Sequence, residues 1–369
     1  MSESPHPDPM FPAAATDTSG GWHLSRRGWT VLLSFVIVIA LAVVGGFVRV
    51  PYVAVSPGPT YDTLGQVDGK LVVEVDGHET YPTSGQLRMT TVSVNQDVTL
   101  FSALGLWLSS RHALAPREEF IPPGKTEQDV EAENQKMFTE SQSNAEVAAL
   151  RYLGFPLVVI AGEITTNSPA DQVLEPGDRL LVVNGKKITA PEDVRASLQG
   201  TTPGTPITIT FKRGDGPEQT ASVTLAKASD FNPDDNRSEG LLGLVAAERA
   251  DVRFKTTIHL QDVGGPSAGL IFALAIVDRL TPGELEAGQQ VAGTGTIDGR
   301  GNVGSIGGIP FKMVAARDAG ASAFLVPADN CIEAKSQAPD GLRLIKVDTL
   351  TTAVKALEDL HAGRAVPSC

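Results

Sequence analysis

Gly264-Gly265-Pro266-Ser267-Ala268-Gly269, followed by the uncharged run Leu270-Ile271-Phe272-Ala273-Leu274-Ala275-Ile276-Val277, decides how this chain is read. Phe254 to Val263 has the composition of a strand. The glycines and proline then turn the chain, and the apolar run predicts a helix buried all round. Ser267 falls at the junction, at the N-terminus of that helix, where free backbone N–H groups cluster and can stabilise an oxyanion. The glycines let a substrate approach the backbone closely, and Gly265, Pro266 and Ala268 are read as supporting residues of the site. Two other readings compete. Serine is a favoured helix N-cap, and Gly265 to Gly269 also fits the G-x-S-x-G nucleophile elbow of esterases. The elbow needs a histidine later in the chain, and only His361 follows. His259 precedes the serine, with Asp262 as its one local acid.

If no histidine serves as base, a lysine must. An exposed lysine titrates near 10.4 and is a poor base until burial disfavours its ammonium. Gly307-Gly308-Ile309-Pro310-Phe311-Lys312 leads into a predicted helix with Pro310 in its first turn, continued by Val314, Ala315 and Ala319 and ended by Gly320. Lys312 would sit at that helix start between Phe311 and Met313. Most lysines are solvated surface residues, and on this local pattern alone Lys255 competes with Lys312.

The remaining composition narrows the class. The chain has 369 residues, 41% of them hydrophobic and 20% charged, enough for two or three folded domains. A net charge of −13 argues against nucleic acid as a partner. Six scattered histidines without HExxH, and two cysteines without CxxC, predict no metal site. Cys331 and Cys369 could pair in an oxidising compartment, but the terminal position of Cys369 suggests a free thiol. Gly124-Lys125-Thr126 imitates the end of a phosphate loop, yet position 119 is Glu and prolines precede it, so it reads as a loop.

Residues 28 to 48 carry no charge. As a helix they span roughly 31 Å, about the hydrocarbon thickness of a bilayer. The run is longer than the apolar core of a cleaved signal peptide, which favours a retained anchor. Arg26 and Arg27 before it against Arg49 after it place the N-terminus inside and the bulk of the chain outside. The expected layout is a disordered cytoplasmic tail over 1–27 and a transmembrane helix over 28–49.

A strand-rich extracytoplasmic segment follows over 50–145. It either completes a later domain or stands alone. Within it, Tyr52 to Val55 is predicted to break at Ser56-Pro57-Gly58-Pro59. Strands are predicted at Leu71 to Val75 and Leu87 to Val94. A helix is predicted near 97–109 and a loop at 115–125; residues 126–153 are helix-prone and acidic at the start, with Asn144 as a candidate cap for a helix through Ala145 to Leu153. Residues 146–228 form a second unit. Its string SPADQVLEPGDRLLVVNGKKI, at 168–188, resembles the core of bacterial PDZ domains, which bind extended chain ends by adding a strand to a sheet edge. Asn184-Gly185 is a hairpin signal. Leu153-Gly154-Phe155-Pro156 is the nearest candidate for the carboxylate-binding loop, and reads equally as a helix stop followed by a strand. A linker-like stretch at 228–240 leads to a third unit, 240–362.

GGPSAG at 264–269 and VAGTGTIDGRGNVGSIGGIPFKMVAARDAGASAFLVP at 291–327 resemble the nucleophile and lysine regions of the Lon-type serine proteases, specifically the ATP-independent, membrane-anchored PDZ branch. The 45-residue spacing from Ser267 to Lys312 is similar too. The resemblance implies an α+β fold: one transmembrane helix, a PDZ-like β-rich domain and a Lon-type proteolytic domain. It implies that Ser267 attacks the peptide carbonyl, that Lys312 moves the proton, and that Thr294 holds the lysine. Many Lon proteases carry aspartate where Gly264 stands. No cofactor or metal is implied; the implied partners are peptide or protein substrates and the membrane. Self-association is expected only by analogy with the family's rings. A PDZ scaffold with an inactive protease domain, and an α/β-hydrolase-type esterase, are the alternatives.

Overall fold

The computed structural model describes residues 25–109, 111–261, 263–283, 285–286 and 288–369. The expected tail up to residue 24, and Asp262, lie outside the described residues.

Helix α1 (Arg26–Phe47) leads into β1 (Tyr52–Asp62), the short pair β2 (Gln66–Val67) and β3 (Lys70–Leu71), β4 (Val73–Asp76) and β5 (Gln86–Asn95). Next come α2 (Leu100–Trp107), β6 (Ala113–Pro116), the single turn α3 (Arg117–Phe120) and the long α4 (Glu127–Tyr152). The second unit holds β7 (Leu157–Ile164), β8 (Arg179–Val183), β9 (Lys186–Lys187), α5 (Pro191–Ser197), β10 (Pro206–Lys212), β11 (Glu218–Thr224) and β12 (Leu244–Ala250). The last part is β13 (Lys255–Ile258), α6 (Gly269–Leu280), β14 (Gln290–Gly293), β15 (Thr296–Ile297), β16 (Val303–Gly304) and α7 (Ile309–Asp318). It ends with β17 (Ala323–Pro327), α8 (Cys331–Ser336), β18 (Arg343–Val347) and α9 (Leu350–His361).

Two six-stranded sheets organise these elements. The first has the order β18-β17-β14-β5-β1-β6. Residues 50–145 thus supply half of it, and β4 pairs with β13 as well. Its two faces follow from the alternation of side chains along each strand. Ala323 and Leu325 join the cluster around α4, α6 and α9, whereas Phe324 and Val326 join the cluster under α7 and α8. Every residue of α6 except Arg279 is buried, as its uniform apolarity requires.

The second sheet runs β11-β10-β8-β7-β12, with β9 on β8, around its own apolar core. Asn184 and Gly185 both have positive φ, 48° and 74°, the geometry of the tight turn they predicted.

Five expectations need correction. β1 does not stop at Ser56 to Pro59. It continues to Asp62 because β6 covers only Tyr52 to Val55, so the prolines fall where one side of the strand needs no donor, and a register shift between Pro57 and Thr60 absorbs the rest. Of the loop expected at 115–125, residues 115–120 belong instead to a short strand and a helical turn, and only 121–125 are loop. The helix-prone stretch 126–153 is one helix, α4, but Asn144 does not cap it: the cap is a Thr126–Asp129 capping box, and burial of Ala145 and Val147 to Leu150 carries the helix past Asn144. Strand β12, read as the start of the third unit, pairs with β7 from Leu244↔Ile164 to Ala250↔Leu157 and closes the second sheet. Cys369 is not free but forms a disulfide with Cys331. The tail folds back along β18, with Lys346 N–H donating to the Pro367 carbonyl, and so reaches α8.

Candidate active site

Ser267 lies two residues ahead of α6, and Lys312 is the fourth residue of α7. The strand β13 before the serine is shorter than expected, ending at Ile258. Gly265 takes φ +83° and turns the chain into the helix. A part that the sequence reading missed supports this turn. The Asn134 carbonyl in α4 accepts the Gly265 N–H at 2.9 Å, and Ser141 Oγ of the same helix donates to the Pro266 carbonyl at 2.9 Å. Gly269 cannot carry a side chain, since a Cβ there would come 2.8 Å from Ser141 Oγ. No local signal in α4 points to this role; only the packing of α4 on α6 reveals it.

Lys312 Nζ lies 2.6 Å from Ser267 Oγ and 3.0 Å from Thr294 Oγ1. Thr294 Oγ1 in turn donates to the Ser267 carbonyl at 3.0 Å. Thr294 and Lys312 are almost wholly buried, at 1% and 2% exposure. Burial lowers the Lys312 pKa from 10.5 to about 7. A neutral amine there can give one hydrogen to Thr294 and turn its lone pair toward the serine hydroxyl. Strand β14 aims Thr294 from the sheet, and the Ser267 carbonyl also accepts the Gly295 N–H at 2.8 Å, so strand, turn and helix lock together.

A cleft of about 290 Å³ opens over Ser267. Gly264, Gly265 and Ala268 line it beside the serine, and Tyr61, Met89 and Val92 of β1 and β5 form the facing wall; no lining residue is charged. Among the described residues the N–H groups of Ser267 and Ala268 donate to no acceptor. β14 accompanies β5 only over Gln86 to Met89, so the next residues of β5 keep an open edge on the cleft side.

The competing bases lie elsewhere. His361 borders a different cleft with Val277 and Thr281, at the far end of α6 from Ser267. His259 is 2.7 Å from Glu74. Lys255 lines a cleft between the two units with Glu146 and Arg249. Among the described residues no cluster of three or more His, Cys, Asp or Glu could hold a metal.

In the second unit, Leu153 to Pro156 is a helix stop. Gly154 takes φ +79°, and the Phe155 N–H returns to the Leu150 carbonyl at 2.9 Å. The sheet edge belongs instead to β12, facing α5. Before β12, Leu241-Leu242-Gly243-Leu244 forms a tight loop. The Leu242 and Gly243 carbonyls accept from Ala170 and Thr165, while their own N–H groups donate to no acceptor among the described residues. Gly243 has φ +77°, and a Cβ there would come 2.2 Å from Ser168. The glycine between leucines was the available signal, hidden by its position past the linker-like stretch at 228–240.

Fold and site together define a peptidase-type domain joined to a second, separately cored β-sheet unit. Residues 254–359 match the Lon protease (S16) C-terminal proteolytic domain, and residues 132–225 match the PDZ domain. The chain therefore carries a Lon-type proteolytic domain and a PDZ domain. The Lon protease of Fusobacterium nucleatum is 32% identical over 174 residues, covering 44% of this chain and 20% of that protein. Lon protease 2 of Herpetosiphon aurantiacus is 32% identical over 153 residues, 40% of this chain and 17% of that protein. The matched stretch is thus a fifth or less of those relatives' own length. The solved PDZ domain of the SdrC-like protein of Listeria monocytogenes is 19% identical, with a TM-score of 0.21 over 24% of this chain and 86% of that one.

Proposed function

We propose that this chain is a membrane-anchored, ATP-independent serine endopeptidase working through a Ser267–Lys312 dyad. The observation that carries the reading is the 2.6 Å approach of a buried lysine amine to the hydroxyl of a serine at a helix N-terminus. Ser267 Oγ attacks the scissile carbonyl carbon while its proton passes to neutral Lys312 Nζ. The oxyanion is held by the free N–H groups of Ser267 and Ala268. The C–N bond then breaks, and the ammonium returns the proton to the leaving amine. Water next attacks the acyl ester, giving its proton to Nζ, and Ser267 leaves with that proton restored. The open edge of β5 past Met89 suits a substrate backbone paired as an extra strand, and the uncharged cleft suits an uncharged side chain beside the scissile bond.

Three further observations support the setting. Helix α1 is long and apolar enough to cross a membrane, and the arginines flanking it favour an outer protease. The Cys331–Cys369 bond suits an oxidising compartment. Lys125 pairs with Glu133 and Thr126 caps α4, so neither residue of the phosphate-loop imitation is left for a nucleotide. In the PDZ unit the edge of β12 and the free N–H groups of Leu242 and Gly243 fit an incoming chain end, which the unit selects or gates. The test is hydrolysis of an unfolded protein by the purified full chain without nucleotide. Cleavage that vanishes in Ser267→Ala supports the enzyme. Unchanged cleavage in that variant assigns the activity elsewhere and leaves the PDZ scaffold as the reading.

A further inference from the structure

Helix α2 is a short element with no buried residue. Apart from α1, twelve large apolar side chains are exposed among the described residues, and five of them, Leu100, Phe101, Leu104, Trp107 and Leu108, fall in this one segment. At 100° per residue they occupy an arc of about 120°, so they form one apolar face. No charge occurs from Val98 to Leu108; the flanking charges are Asp97 and Arg111. A patch of this kind on a soluble surface marks a contact with something apolar.

Its place in the fold says what that contact is. The Leu100 N–H donates to the Val48 carbonyl and the Val50 N–H to the Val98 carbonyl, so α2 begins where α1 ends. The Phe101 ring lies so close to Gly45 that a Cβ there would come within 2.5 Å, and Gly45 is the one buried residue of α1. Arg49 and Asp97 pair at 3.0 Å at the same level. The apolar face of α2 is therefore continuous with the C-terminal end of α1.

We propose that α2 lies in the outer membrane–water interface as a second lipid contact, holding the sheet and its active site at a fixed height above the bilayer. The proposal rests on the reading of α1 as a membrane anchor. Its chemistry is that of an interfacial helix: leucine and phenylalanine reach the acyl-chain boundary, and Trp107 occupies the headgroup level that tryptophan favours. Two insertion points allow much less rocking than the single helix α1 would.

The chain has three tryptophans, Trp22, Trp29 and Trp107, which makes the test internal. The full chain is reconstituted in phosphatidylcholine–phosphatidylglycerol vesicles containing lipids brominated near the headgroup end or near the methyl end of the acyl chains. Trp22→Phe with Trp29→Phe leaves Trp107 as reporter, and Trp22→Phe with Trp107→Phe leaves Trp29. The expected result is quenching of Trp107 emission, stronger with shallow than with deep bromines, and its loss in Leu104→Glu. Retained peptide hydrolysis shows that each variant is folded. Quenching of Trp29 but not Trp107 overturns the interfacial role of α2, and if association then rises with concentration, a second copy covers the face. Quenching of Trp107 untouched by Leu104→Glu overturns the assigned face. Quenching of neither tryptophan refutes the anchor and this proposal together.

Discussion

Arg300, in the turn between β15 and β16, pairs with Glu192 in the first turn of α5. The same turn is also tied to β12: Arg151 Nε donates to the Gly299 carbonyl at 2.8 Å, and the Arg151 guanidinium pairs with Glu248 of β12. Thr294 lies just before this hairpin and Lys312 shortly after it. One turn is thus tied to α5 directly and to β12 through Arg151, and it lies between Thr294 and Lys312 in sequence.

In the reading proposed above, a chain end lying between α5 and β12 passes beside this turn. Exposed ion pairs contribute only about 0.2–1 kcal/mol, so Arg300→Glu is expected to leave thermal stability nearly unchanged. It should loosen the hairpin, with faster hydrogen exchange over residues 296–304. Arg300→Glu combined with Glu192→Arg should restore protection. Equal exchange in all three proteins would show that the pair transmits nothing.

Replacing either dyad member should stop the chemistry. Ser267→Ala and Lys312→Met are each expected to lower peptide hydrolysis by roughly 10⁴-fold or more, and the double variant little further, because the two act as one unit. Additive losses in the double variant would show two independent roles.

Thr294→Val removes the acceptor that holds the lysine amine. The loss of about 1.5–3 kcal/mol, or roughly 10–150-fold, should fall on kcat with KM little changed. Thr294→Ser keeps the hydroxyl and should recover most of the rate. A loss confined to KM would place Thr294 in substrate binding instead.

Acidity should show in both rate and stability. Burial brings Lys312 from 10.5 down to about 7, so kcat/KM should rise with pH through about 7 as the free amine forms. Between about 7 and 10.5 the unfolded chain binds a proton at this side chain that the folded chain does not. Stability should therefore rise with pH across that window, and Lys312→Met should flatten that rise. A rate that falls throughout pH 6–9 would contradict this.

The sequence made the two functional helices legible because their signals are local. An apolar run after Gly264-Gly265-Pro266 places Ser267, and Pro310 at a helix start places Lys312. Choosing Lys312 over Lys255 needed more, since burial depends on the whole sheet, and only the resemblance singled it out. Long-range pairing hid the rest. Pro57 and Pro59 look like strand breakers until the short reach of β6 is known, and β12 looks like a linker's end until it meets β7. The support of Gly265 and Pro266 by Asn134 and Ser141 spans more than a hundred residues of chain. The tail's return along β18, which brings Cys369 to Cys331, leaves no local trace either.

The state of one amine can be read directly. With methyl-free lysine labelled at Cε in the full chain, the carbon resonance missing from Lys312→Met identifies position 312, and its shift is followed from pH 5 to 11. A midpoint near 7 is the predicted result; a midpoint near 10.5, that of a solvated ammonium, would contradict a neutral lysine acting on Ser267.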